Sequence, residues 1–189
     1  TYVDGQCGRA LSFDGVDDYV AIPDNNSLSF TDGTNDKPFS ISMRLKIPNV
    51  TVNKFIIHKR AAQFEWQIGI NSSKILFMSM GDNGGVSVSS VRYSLSPLTS
   101  NIWQHCVFTY NGSGGGNGIN IYINGVLSNG TIYTIGTYSH MINTTNPVMV
   151  ARADFAGNYF KGIIDNIKIY SKALTQSEIQ RDYLNLPII

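Results

Sequence analysis

The sequence predicts an all-β fold: a two-sheet antiparallel sandwich with one short helix near the C-terminus. Three observations carry this. Short runs of β-branched and aromatic residues recur along all 189 residues, separated by turn dipeptides such as Asp14-Gly15, Asp32-Gly33 and Asn124-Gly125. Several of these runs alternate apolar with polar residues, the period of a strand that buries one face. Helix-start signals stand out at one place only, after Leu174.

Taken in order, residues 10–13 and 18–22 form a first pair of strands around the Asp14-Gly15 turn. Residues 39–47 alternate cleanly: Phe39, Ile41, Met43, Leu45 and Ile47 face inward, whereas Ser40, Ser42, Arg44 and Lys46 face out, the pattern of a half-exposed antiparallel strand. Residues 55–59, 64–70, 74–80 and 86–93 supply four further strands. The next two flank the glycine-rich stretch 111–118: Trp103 to Tyr110, then Ile119 to Asn124, whose isoleucines at 119, 121 and 123 share one face. Asn124-Gly125 closes a tight turn because both residues tolerate positive φ. Strands at 131–135, 148–151 and 160–170 follow, the last with Ile163, Asp165, Ile167 and Ile169 on one face. Trp66 and Trp103 fall on core positions by the same alternation. Thr175-Gln-Ser-Glu178 is a capping box, Leu174 and Ile179 make the hydrophobic staple, and the helix should run to about Tyr183, with Pro187 barring regular continuation.

Composition bounds the function. Hydrophobic residues make up 42 %, enough for a sizeable core, while charged residues make up only 14 % and the net charge is +1. Such a balance gives no electrostatic footprint for nucleic acid or an anionic membrane. No apolar run approaches the roughly 18 residues of a membrane span, so membrane insertion is not expected. Polarity comes from Asn, Ser, Thr and Gly, as in extracellular and virion β-proteins. The chain starts at Thr1 with no signal segment, which reads as a mature product or a module of a longer polypeptide. Cys7 and Cys106 are read as small buried hydrophobes or, alternatively, as one disulfide.

Four stretches, in this order, carry a resemblance: Gly8 to Val20 (Gly-Arg-Ala-Leu-Ser-Phe-Asp-Gly-Val-Asp-Asp-Tyr-Val); Phe39-Ser-Ile-Ser-Met43; Trp103 to Gly112 with Ile121-Tyr-Ile-Asn-Gly125; and Phe160 to Ile179, containing Gly-Ile-Ile-Asp. Together they resemble the laminin G-like jelly roll of the concanavalin A-like lectin and glucanase superfamily. The resemblance covers nearly the whole chain as one domain and departs where Arg44 stands in place of a usual Trp. It implies two curved antiparallel sheets with the terminal strands adjacent. It also implies an extracellular, cell-surface or virion-surface setting, with glycans, surface receptors or neighbouring virion subunits as partners.

A glycosidase of this superfamily needs two carboxylates on one strand face, about 5 Å apart for a retaining mechanism. The chain has only two glutamates. Glu178 serves the helix cap, and Glu65 has no carboxylate two residues away on either side. No catalytic residues are therefore assigned, and a hydrolase is the weakest reading. His105 is expected to be a structural hydrogen-bonder, and no Ser/His/Asp triad is signalled. Gly114 to Gly118 precedes a strand rather than a helix, which excludes a phosphate-binding loop.

Asp165 is a carboxylate expected on the inward face of an isoleucine-rich strand, where it needs a partner. The resemblance implies a structural Ca²⁺ held by Asp165 with Asp14 and Asp18 of the N-terminal segment; the alternative is a carboxylate capping backbone amides. For ligand contact, aromatic faces and polar side chains in or beside loops single out Tyr133, Tyr138 and Tyr159, with Asp82, Asn83, Asn117 and Asp154 as polar partners. The expected function is a non-catalytic surface recognition module that binds carbohydrate or a receptor. A structural decoration or fibre domain of a virus or phage particle is the alternative.

Overall fold

The computed structural model describes residues 1–60, 63–82, 89–153 and 158–188. Among them, fourteen strands form two seven-stranded antiparallel sheets. The first sheet holds β1 (Tyr2–Asp4), β2 (Arg9–Asp14), β4 (Phe39–Lys46), β9 (Gln104–Tyr110), β10 (Ile119–Ile123), β11 (Val126–Leu127) and β14 (Lys161–Tyr170). Their spatial order is β1-β2-β14-β4-β9-β10-β11, so β2 of the N-terminal hairpin lies directly beside β14, the last strand. The second sheet holds β3 (Val20–Ile22), β5 (Lys54–Arg60), β6 (Phe64–Ile70), β7 (Ile75–Gly81), β8 (Ser89–Pro97), β12 (Asn129–Ile135) and β13 (Val148–Val150). Its order is β12-β8-β7-β6-β5-β13-β3. Among the described residues one α-helix, α1 (Gln176–Tyr183), follows β14.

The sheets meet over a single core. Phe39, Ile41, Met43 and Leu45 of β4 and Cys106, Phe108 and Tyr110 of β9 join Trp66, Ile68 and Ile70 of β6 and Leu76, Met78 and Met80 of β7. Each large apolar side chain buried this way stabilises the fold by roughly 1.5–3 kcal/mol. The Phe30 and Phe39 rings stack with centroids 4.0 Å apart, and Trp66 Nε1 donates to the Leu28 carbonyl at 3.0 Å. The buried indole is thereby satisfied. Trp103 departs from expectation: it is half-buried at the mouth of β9 and lies outside the core. Both cysteines are free thiols, Cys106 buried and Cys7 half-buried, and burial pushes the Cys106 thiol pKa up.

The outer face of β4 is not exposed as alternation alone predicts. Ser40, Ser42 and Arg44 are all buried, because α1 packs across this face of the first sheet. Leu174 and Ile179 of the staple join Val107 and Tyr122, outward-facing residues of β9 and β10, in a second apolar cluster. The capping box forms as expected, with Thr175 N–H donating to Glu178 Oε2 at 2.8 Å and Glu178 N–H to Thr175 Oγ1 at 3.3 Å. At the other end Asn185 takes a left-handed φ of 58°. Leu186 N–H then reaches the Arg181 carbonyl and Asn185 N–H the Asp182 carbonyl, the two bonds of a Schellman stop. Arg44 completes this stop by donating to the Tyr183 carbonyl at 2.7 Å and to Asn185 Oδ1 at 2.8 Å.

Asp182 is the bolt under the helix. It accepts from Ser42 Oγ, from His105 Nε2 at 2.9 Å and from Lys168 Nζ at 2.5 Å. Burial opposes its ionisation, yet the hydrogen bonds from His105, Lys168 and Ser42 and the charge of Lys168 outweigh it and hold the carboxyl well below the usual range. A carboxyl whose native pKa lies below its unfolded value of about 3.9 stabilises the fold above that value and loses the contribution as pH falls. The unfolding free energy should therefore drop progressively below about pH 4. Asp182→Ala should cost about 3–5 kcal/mol at neutral pH, because it leaves buried partners unpaired. Asp182→Asn should flatten the acid slope measured by denaturant titration; a variant that keeps the wild-type slope would contradict the role given to this carboxylate.

Candidate functional site

The second sheet differs from the first in what its outer face carries. Cross-strand partners share a face, so register alone defines rows across the sheet. Tyr93, Phe77, Gly69 and Phe55 lie opposite one another on β8, β7, β6 and β5, a row of about 14 Å at 4.7–4.9 Å per strand. A second row runs through Tyr133, Val91, Ser79, Gln67, His58 and Met149. The rings touch in sequence: Tyr93 to Phe77 with centroids 5.9 Å apart, Phe77 to Phe55 also 5.9 Å and near edge-on, and Phe55 to His58 at 5.8 Å. Arg60 lies 5.4 Å from the ring centres of both Phe55 and Phe64, and its Nη1 donates to Gln67 Oε1 at 2.7 Å.

Gly69 makes the row possible. A Cβ there would stand 2.6 Å from the Lys54 carbonyl and inside the Phe77 ring, so only glycine lets that ring lie across β6. At the edge, Tyr133 on β12 is 60 % exposed. Phe77 and Gln67 are themselves buried, so the accessible part of this face is Tyr133 together with the half-buried Tyr93, Phe55 and Arg60. Sequence reasoning reached Tyr133 but not Tyr93, Phe77, Phe55, Arg60 or Gln67. A signal existed: Phe77 and Ser79 alternate against the core residues Leu76, Met78 and Met80, and a glycine inside the strand 64–70 marks a close approach.

The other expected ligand residues separate into two groups. Tyr138 and Asp82 come together at one end of the sandwich. The Tyr138 hydroxyl donates to Asp36 Oδ2 at 2.7 Å, beside the Tyr110 hydroxyl at 2.6 Å, and burial followed by the Asp36 carboxylate raises its pKa. Asp82 accepts from the Ser139 amide and hydroxyl and from His140 N–H at 3.2 Å, fastening the same loop. Asn117 is exposed in the adjoining turn Gly116–Gly118. Tyr159 lies apart, lining a cleft of about 260 Å³ with Asp14, Lys54 and Lys161. Asn83 and Asp154 fall outside the described residues.

The three carboxylates expected to hold calcium do not converge. A bulge at Asn166, with φ 51°, rephases β14 between Asp165 and Lys168. Ile164, Ile167 and Ile169 thereby face the core, while Ile163 and Asp165 face outward with Lys46 and Arg44. The placement of Asp165 among inward-facing isoleucines is thus corrected. Its Oδ2 accepts from Gln6 N–H at 2.8 Å and Cys7 N–H at 3.1 Å, the backbone-capping alternative, and Gly5 leaves room for it. Asp14 sits opposite Lys161, four residues along the strand from Asp165, or about 13 Å. It accepts from Val16 N–H at 2.7 Å, which holds its carboxyl below the usual range, and Asp18 accepts from Asp14 N–H at 3.2 Å. These residues do not fit one shared ion.

Ser42, His105 and Asp182 do meet, which the sequence did not signal, but not in the order of a hydrolytic relay. Ser42 Oγ and Asp182 Oδ2 both address His105 Nε2, and all three residues are buried beneath α1. A relay places the acid on one ring nitrogen and the nucleophile on the other, open to substrate. Glu65 is fully buried and paired with Lys59.

The fold has many solved counterparts. The binding domain of Paraclostridial Mosquitocidal Protein 1 superposes with a TM-score of 0.73 at 19 % identity, over 97 % of this chain and 45 % of that one. The Botulinum Neurotoxin serotype G binding domain gives 0.72 at 16 % identity, over 98 % and 44 %. Domain 4 of AbnA, a GH43 extracellular arabinanase from Geobacillus stearothermophilus, gives 0.66 at 20 % identity, over 96 % and 79 %. The chain thus spans less than half of either toxin binding domain. No protein of curated function matches it in sequence. A family profile matches residues 14–180, nearly the full length, and with the two-sheet topology it places the chain as a member of the concanavalin A-like lectin/glucanases superfamily.

Proposed function

We propose that this domain is a non-catalytic recognition module that binds a glycan on the outer face of its second sheet. The observation that carries the reading is the in-register row Tyr93–Phe77–Gly69–Phe55, flanked by Arg60, Gln67 and Tyr133. Sugars present C–H patches that pack on aromatic rings and hydroxyls that need directed polar partners. The accessible members, Tyr133 with the half-buried Tyr93, Phe55 and Arg60, offer both, on strands rather than loops and backed by the buried Phe77 and Gln67, so the partners are held in place before the ligand arrives. The related arabinanase domain was solved with arabinotriose, and a further similar fold, the Botulinum Neurotoxin DC binding domain, with SialylT. Both are consistent with a glycan reading here. Catalysis is set aside because Glu65, the one glutamate outside the helix cap, is sealed against Lys59 and not aimed at a cleft. An extracellular or particle-surface location goes with this reading.

A glycan array probed with the full chain, repeated with EDTA, is the direct test. Binding to a defined oligosaccharide class is expected, with Tyr93→Ala and Tyr133→Ala each weakening it about tenfold. Absence of binding to any glycan, or unchanged affinity in both variants, would overturn the proposal. Gly69→Ala should destabilise the domain by about 1–3 kcal/mol in denaturant titration, through overpacking under Phe77. It should also weaken the same glycan in the folded fraction.

A further inference from the structure

At one end of the core, beside Trp66, Lys59 is fully buried and its ammonium has four oxygen neighbours. Nζ lies 2.9 Å from Asp24 Oδ1, 2.9 Å from Ser29 Oγ and 2.6 Å from the Thr144 carbonyl, and it contacts Glu65 Oε1. An ammonium has three N–H groups, so four oxygens oversubscribe it. All four neighbours are oxygens, the donor type that hard cations take. Two of them come from carboxylates, so one unit of negative charge remains after Lys59 is counted. A second observation points the same way: Glu65 is fully buried, yet its Oε2 has no hydrogen-bond partner. Thr144 N–H and Oγ1, at 2.7 and 2.9 Å, both serve Oε1 instead.

We infer that this is a hard-cation site in which Lys59 is the resident, tethered cation, and that the cage takes Ca²⁺ once the ammonium is removed. The donor set supports that class. Asp24 and Glu65 carry two oxygens each, and Ser29 and the Thr144 carbonyl one each, giving six oxygens and no sulfur or nitrogen. Calcium takes about six to eight such ligands, carboxylates included. The cage draws three separate segments onto β5 and β6: the stretch around Asp24, the Ser29 turn and the loop at Thr144. In the native chain the lysine performs this without free metal, and it travels with the strand that carries the aromatic row. The site is distinct from Asp14, Asp18 and Asp165 and does not rest on the glycan reading.

The test is thermal unfolding of Lys59→Ala, Lys59→Met and Lys59→Ala/Glu65→Gln beside the wild type. Each is measured in EDTA, in millimolar CaCl₂ and in n-butylammonium chloride. Lys59→Ala is expected to lose about 10 °C in EDTA. Calcium should then restore at least half of that loss, but have little effect on Lys59→Met, whose thioether fills the cage, or on the double variant. If Lys59→Ala is unfolded in EDTA, recovery of the folded state on adding calcium is the same readout. Calcium effects equal in Lys59→Ala and wild type, no recovery in calcium, or recovery with butylammonium alone would each overturn the assignment.

Discussion

The docking of α1 on the first sheet decides what each face of the sandwich is for. Alternation makes two sheets that bury their inner sides in one core, which leaves two outer faces. Asp182, held by Ser42, His105 and Lys168, and Arg44, held by the carbonyl end of the helix, close one of them along β4, β9 and β10. The polar residues there are internal structural groups, although on a flat reading of the strand they look like surface. The outer face of the second sheet carries rings and polar tips in register instead.

Buried and half-buried polar groups recur wherever separate segments must be fastened. Asp182 binds helix to sheet, Asp36 gathers Tyr110, Tyr138 and the Met141 amide, Asp165 caps the turn after β1, and Lys59 with Glu65 collects three loops. A chain with 14 % charged residues spends a notable share of them inside. Removing one partner of such a cluster costs more than the cluster contributes, because the other groups stay buried and unpaired. Fold specificity at the loop-rich ends is therefore concentrated in a few carboxylates, whereas the sheets rest on apolar packing.

Much of the fold was legible because alternation is a local signal. The strand at 39–47, the hairpin around Asn124-Gly125, the cap at Thr175 and the staple at Leu174 all read directly from spacing. The burial of Ser40 and Ser42 was not legible, since a helix some 135 residues later covers them. The bulge at Asn166 inverted the expected side of Asp165, because a one-residue insertion in a ladder leaves no mark on apolar periodicity. The ligand face was half legible. Tyr133 was found as an aromatic near a loop, but the row it borders depends on the register of four strands, which no single stretch encodes.

The central claim, that recognition uses the outer face of the second sheet, is tested most directly by residue-resolved NMR titration with an oligosaccharide the domain binds. The account predicts that the largest shifts fall on Tyr93, Phe77, Gly69, Gln67 and Tyr133, spanning β6, β7, β8 and β12. Shifts confined to the Tyr159 and Lys161 cleft, or to the loop carrying Tyr138, would contradict it.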